Sequence, residues 1–273
     1  MSNETIRDAL GRIEKGYVRT TEGQVHYRRL PAKGRPPVAF FHQTASSSAM
    51  FDQVMARLAD RYDMVAFDTP GFGGSYEPAD IPSVRYLADA LWEAVENLQL
   101  RPPHLVGHHT GGCIALEMAV HQQPQVRSLT IIGAVLATAE ERAEYRKKFS
   151  APYSPDPDGE YLKVAWDYLA SIGAAVSVDV HNREMVDHLR AWRALPMTFN
   201  AVWDQDFESL YRAVDVPLMN ICSRDDVLWP FHERALEMRP DSSAATVHGM
   251  DWQCDRDPDG MAAAIHGFLA RQA

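Results

Sequence analysis

"LVGHHTGGCIAL", Leu105–Leu116, is the stretch on which the reading of the fold turns. It reads as a strand, a tight turn Gly107-His108-His109-Thr110-Gly111, and the start of a helix. Outward from it, extended and helical patterns alternate, which points to a sheet with flanking helices. "PPVAFFH" (Pro36–His42) is nearly all apolar, as suits a strand buried on both faces. "YDMVAFD" (Tyr62–Asp68) is the next strand and ends in the turn "TPGFGGS". Between them, "SSSAMFDQVMARLAD" carries apolar residues at helical spacing behind serines that read as caps. "VRYLADALWEAVENLQL" places Leu87, Leu91, Val95 and Leu98 on one helical stripe. Upstream, Tyr17–Thr21 and Gln24–Leu30 read as a hairpin; downstream, "VRSLTIIGAV" is another strand.

From about Thr138 to Tyr211 the alternation breaks. This stretch is polar, helical and rich in aromatics, among them Tyr145, Tyr153, Trp166, Tyr168, Trp192, Phe199 and Trp203. It reads as an insertion, so residues 138–211 are expected to form a separate helical layer, with 1–137 and 212–273 making one α/β core. Alternation resumes with "VPLMNICSRDD", "PFHERALEMR", "SAATVHGMD" and "PDGMAAAIHGFLARQ".

Bulk properties narrow the function classes. The 273 residues suit one large α/β domain with an insertion. With 27 Lys+Arg against 37 Asp+Glu the net charge is −10, which disfavours a nucleic-acid partner. Cys113, Cys222 and Cys254 are odd in number and scattered, giving neither a disulfide framework nor a CxxC metal pattern. The charged start "MSNETIRDALGRIEKGY" is no secretory signal, and no apolar run approaches the ~20 residues that span a bilayer. A cytoplasmic protein with a small-molecule substrate and no membrane partner is expected; a homodimer stays open.

Four landmarks in order resemble the α/β-hydrolase superfamily: "FFHQTASSSAMF", "FDTPGFGGS", "GHHTG" and "ICSRDDVLWP". The resemblance spans nearly the whole chain. It implies about eight mostly parallel strands with helices on both faces, and makes the insertion a helical cap over the carboxyl ends of the strands. It also implies a nucleophile elbow at the central turn, where the family pattern Gly-x-Ser-x-Gly carries a serine activated by a histidine that an acid orients.

Here the chain departs from that pattern. The elbow residue is His109. The family's histidine lies seven residues before a proline, and seven before Pro258 is Asp251; His248 is the rival for this position. Asp226 keeps the acid position, with Asp225 as the weaker candidate, and Gln43 replaces the loop glycine after His42. Serine-type acyl transfer is thereby excluded at the elbow. An imidazolium between two carboxylates relieves their repulsion, so His109 is expected to titrate above its ordinary ~6.5.

Three chemistries remain. His109 with Asp251 and Asp226 acts as general acid/base, with Thr110, Gln43, Thr44, His42 and Trp252 around the oxyanion and substrate. Alternatively, His109, Asp226 and Asp251 hold a divalent metal, with His42 or His108 assisting; otherwise no cofactor is expected. In the third, the cap encloses a ligand and nothing turns over. Bland roles are read for His42 and His108 as structural residues and for Asp68 as a brace of its turn. His181, His188, His232 and His266 read as surface or helix residues. Among Trp166, Trp192, Trp203 and Trp229, some are expected to line an apolar pocket.

Overall fold

The computed structural model describes residues 2–149 and 155–272. Tyr153, one of the aromatics noted above, lies outside them. In chain order the elements are α1 (Asn3–Gly11), β1 (Glu14–Arg19), β2 (Gln24–Leu30), β3 (Pro37–Phe41), α2 (Asp52–Arg57), β4 (Asp63–Phe67), α3 (Val84–Asn97), β5 (His104–His108), α4 (Thr110–His121) and β6 (Ser128–Ile132). Five helices follow: α5 (Ala139–Phe149), α6 (Glu160–Ser171), α7 (Val178–Arg190), α8 (Ala194–Asp204) and α9 (Phe207–Ala213). Then come β7 (Leu218–Ser223), α10 (Trp229–Met238), β8 (Ser243–Val247), α11 (Gln253–Arg256) and α12 (Pro258–Leu269).

The eight strands form one sheet in the order β1-β2-β4-β3-β5-β6-β7-β8. β1 and β2 make the expected hairpin, β2 runs antiparallel to β4, and every later pairing is parallel. Side chains of a strand alternate between faces, and the two cores divide accordingly. Ala39 and Phe41 of β3 join Leu87 and Leu91 of α3 and Ile114 of α4. Val38 and Phe40 join Met55 of α2 and Ile265 and Phe268 of α12 on the other face. Burial on both faces explains why β3 to β7 read as continuous apolar runs rather than alternating ones.

The central turn depends on glycines. A Cβ on Gly107 would lie 2.1 Å from the carbonyl oxygen of Gly111, and one on Gly111 would lie 2.0 Å from that of Phe41. Strand, turn and helix therefore meet backbone to backbone, which only glycine allows.

One expectation is corrected. The serines before α2 do not cap it: the first turn is a 3₁₀ helix, Ser48–Phe51, and Ser47 makes no side-chain cap bond. Ser46 and Ser47 instead donate to Glu184 (3.1 Å) and Asp187 (2.6 Å) on α7. The carboxyls of α7, brought up by tertiary packing, accept the hydroxyl protons and orient these side chains toward α7. Histidines 181, 188 and 232 lie on helices, as expected, and all three are buried. His181 stacks on Trp166 with ring centroids 3.6 Å apart, and His232 packs against Trp229, the apolar ring faces being covered by aromatics. No helix among the described residues is long and apolar enough to cross a membrane.

Candidate active site

His109 sits between the end of β5 and the start of α4 with φ +47° and ψ −109°. A bulky residue in this region is strained and persists only where its surroundings enforce it. Here its N–H donates to Ile132 (2.8 Å) and its carbonyl accepts from Cys113 (3.1 Å), tying the turn to β6 and α4. The imidazole lies against Gly133, where an added Cβ would meet Cδ2 at 2.3 Å and Nε2 at 2.6 Å.

Three loops deliver the partners. After β7, Asp226 accepts from His109 Nε2 on Oδ2 at 2.9 Å, while its Oδ1 accepts from the Leu228 N–H at 2.7 Å. After β8, Asp251 is buried and accepts from the Val227 N–H at 3.2 Å. After β3, Gln43 and Thr44 approach Thr110, and the Thr44 hydroxyl donates to that of Thr110 at 2.9 Å. His109, Asp251, Gln43, Thr44, Thr110 and Trp252 all line one cavity of about 100 Å³, with Asp226 directly behind His109. Tyr145, Tyr168, Phe199 and Trp203 from the five-helix segment form much of its remaining wall.

The electrostatics follow from burial and charge. Burial opposes the His109 cation, but the charge and hydrogen bond of Asp226 and the charge of Asp251 outweigh it, so the imidazole is held above 6.5. Burial likewise opposes the Asp226 anion, yet His109 and the Leu228 N–H keep it below the ordinary carboxylate value. Asp251 has no such close cation. Burial, with the neighbouring charge of Asp226 and against the pull of His109, pushes it up to about 6.

Other candidates fall elsewhere. His42 is outside the cavity: its Nδ1–H donates to the Gln43 carbonyl (2.7 Å) and its Nε2 accepts from the Thr69 N–H (3.0 Å), bracing two loops. His108 is fully buried beside His109, ring centroids 4.4 Å apart, and burial holds its pKa well below the ordinary value. His248 and Asp225 are exposed. Asp68 braces its turn by accepting from Gly74 N–H and Ser48 N–H, both at 2.7 Å, and pairs with His26 at the same distance. Of the four tryptophans singled out in the sequence, Trp203 lines this cavity; Trp192 borders a separate groove under Arg193.

Gln253 escaped the sequence reading. Its side-chain amide donates to Asp226 Oδ2 at 2.5 Å. The one available signal was its position two residues after Asp251, and nothing local marks it as a partner of a residue 27 positions away. Gly133 escaped too, because a lone glycine after a strand does not announce which ring will rest on it.

The family model described as alpha/beta hydrolase fold matches residues 36–154. RutD of Pseudomonas savastanoi pv. phaseolicola, to which carbamate hydrolysis is ascribed, is 27% identical over 197 residues, covering 68% of this chain and 74% of that protein. A fluoroacetate dehalogenase of Burkholderia sp is 25% identical over 269 residues, covering 86% of this chain and 87% of the relative. Among solved structures, a hydrolase from Pseudomonas aeruginosa PA01 superposes with a TM-score of 0.79 at 18% identity, covering 94% of this chain and 98% of that one.

Proposed function

Because the chain has the α/β-hydrolase fold, we propose that it is an enzyme for a small organic substrate in which His109 replaces the nucleophilic serine as general acid/base. The reaction is hydrolysis, or a related proton transfer of the lyase kind, without a seryl intermediate. Residues 138–211 act as the cap that encloses the substrate. Relatives named for hydrolysis support the reaction class.

The observation that carries this reading is the bond from His109 Nε2–H to Asp226. It selects the tautomer, so the lone pair lies on Nδ1, which has no protein partner among the described residues, on a ring that lines the cavity. Nδ1 takes a proton from water as the water adds to a carbonyl, or from a carbon next to one. Asp226 stabilises the resulting imidazolium. Backbone N–H groups of Thr110 and the Gln43–Thr44 loop receive the developing oxyanion. Asp251, poised near pH 6, is the second proton carrier.

A screen of esters, lactones and β-dicarbonyl compounds, followed by a pH–rate profile, tests it. The base form of His109 increases as pH rises through its raised pKa, so kcat/KM should climb with an apparent pKa above 6.5. Asp251→Asn removes a negative charge that favours the imidazolium and should move that limb to lower pH. An acid limb that stays put in this variant would count against His109 as the titrating base.

A second reading rests on ligand atoms of His108, His109 and Asp226 lying within 4.8 Å of one another. The set differs from the expected His109, Asp226 and Asp251: here His108 takes the place of Asp251. Its fit to a catalytic metal is poor. His108 is fully buried and leaves no open face for water, and the His109–Asp226 hydrogen bond already satisfies two of the ligands. Elemental mass spectrometry of untagged protein purified without chelator should find far less than one ion per chain. One equivalent of Zn, Mn or Fe, lost in Asp226→Ala, would instead assign Lewis-acid chemistry.

A further inference from the structure

We propose that the cavity selects an uncharged carbonyl substrate and that the side-chain amide of Gln43 recognises its oxygen; this rests on the acid/base reading of His109 above. Two independent features of the wall carry it.

The first is charge. Of the described residues that line the cavity, His109 and Asp251 are the ionisable groups that carry charge near neutrality, and none is Lys or Arg. Asp226 behind His109 neutralises the imidazolium. Asp251, buried on the cavity wall with no Lys or Arg beside it, then leaves the site with a surplus negative charge when ionised. A carboxylate substrate would enter with no cation left to pair with, and an unpaired buried charge is costly. An uncharged molecule meets no such penalty.

The second is an unmet donor. Gln43 is 3% exposed and lines the cavity, yet its Nε2 has no acceptor among the described residues. The neighbouring polar groups are already engaged: Thr44 with Thr110, Asp226 with Gln253 and Leu228, Asp251 with Val227. A buried amide without a partner destabilises the free protein, and a ligand oxygen that accepts from it removes that penalty. The family's glycine at this position has no side chain to do so. In a cavity of about 100 Å³ with aromatic walls, the fitting ligand is compact, with its carbonyl oxygen toward Gln43 and the elbow.

The test is a binding titration followed by the fluorescence of the cavity tryptophans, using isobutyramide and isobutyrate, which share shape and differ in charge. At pH 8 isobutyramide should bind saturably and isobutyrate at least about tenfold more weakly. Gln43→Leu should weaken isobutyramide by roughly tenfold. It should also raise the thermal midpoint by about 2–4 °C, because it removes an unsatisfied buried donor; a purely structural glutamine would lower the midpoint. Gln43→Glu, of the same size, lacks the donor and should also lose the amide. Equal or tighter binding of isobutyrate, absence of saturable amide binding, or unchanged amide affinity in Gln43→Leu overturns the proposal. The readout is binding, so a protein that prefers the amide but turns nothing over would defeat the catalytic reading alone. An active enzyme that prefers isobutyrate would defeat this inference alone.

Discussion

Replacing His109 with alanine should lower kcat/KM on the best substrate from the screen by about 10²–10⁴-fold, the usual contribution of a positioned general acid/base. The protein should stay folded. Asp226 would still accept from Gln253 and the Leu228 N–H, so its carboxylate is not orphaned, and the backbone bonds of the turn to Ile132 and Cys113 do not involve the imidazole. Losing the hydrogen bond to Asp226 should cost roughly 1–3 kcal/mol of stability, a charged acceptor being involved. Circular dichroism and a thermal melt alongside the kinetics separate the two effects. Full turnover in a folded His109→Ala protein would remove His109 from the chemistry. Tight ligand binding with no turnover in the wild type, unchanged in the variant, would identify a sensor rather than an enzyme.

The second large effect is a gain. The double change His109→Ser with Asp251→His restores the residue types that the family pattern places at these positions, with Asp226 still supplying the acid. Esterase activity against an activated aryl ester should rise from background, with a burst of one product per chain and labelling of one site by a fluorophosphonate. The elbow's positive φ aims whatever side chain it carries into the cavity, and Asp251 lines that same cavity. Either single change alone should give little, since the nucleophile and its base act as a unit. A folded double variant that is neither labelled nor active would mean that these positions do not cooperate across the cavity.

Much of the fold was legible because its signals are local. Apolar runs for β3 to β6, the helical stripe Leu87–Leu91–Val95 and the glycines around His109 each depend on neighbours within a few residues. Asp68 braces its own turn by accepting from Gly74 six positions later, as the sequence implies. The serines failed as caps for the opposite reason: Ser47 bonds Asp187, 140 residues away. The helical positions of the histidines on α7 and α10 were legible in the sequence, but helical position alone does not say which aromatic will cover a ring.

At the site the same division holds. By itself, the sequence determined that the elbow residue is a histidine with no hydroxyl, and it offered Asp226 and Asp251 as the carboxylates to face it and the aromatics of residues 138–211 as candidates for a wall. These are matters of residue type at a recognisable position. Tertiary structure alone decided that Asp251 and not His248 enters the cavity, that His42 stays outside it, and that Nε2 rather than Nδ1 of His109 meets Asp226. It also decided that Gln43 is left with an unmet donor. Each of these depends on how loops from distant strands converge at one end of the sheet. Hydrogen-bond direction, burial and pKa are set there by atoms a few ångströms away in space but far apart in sequence, 117 positions for His109 and Asp226.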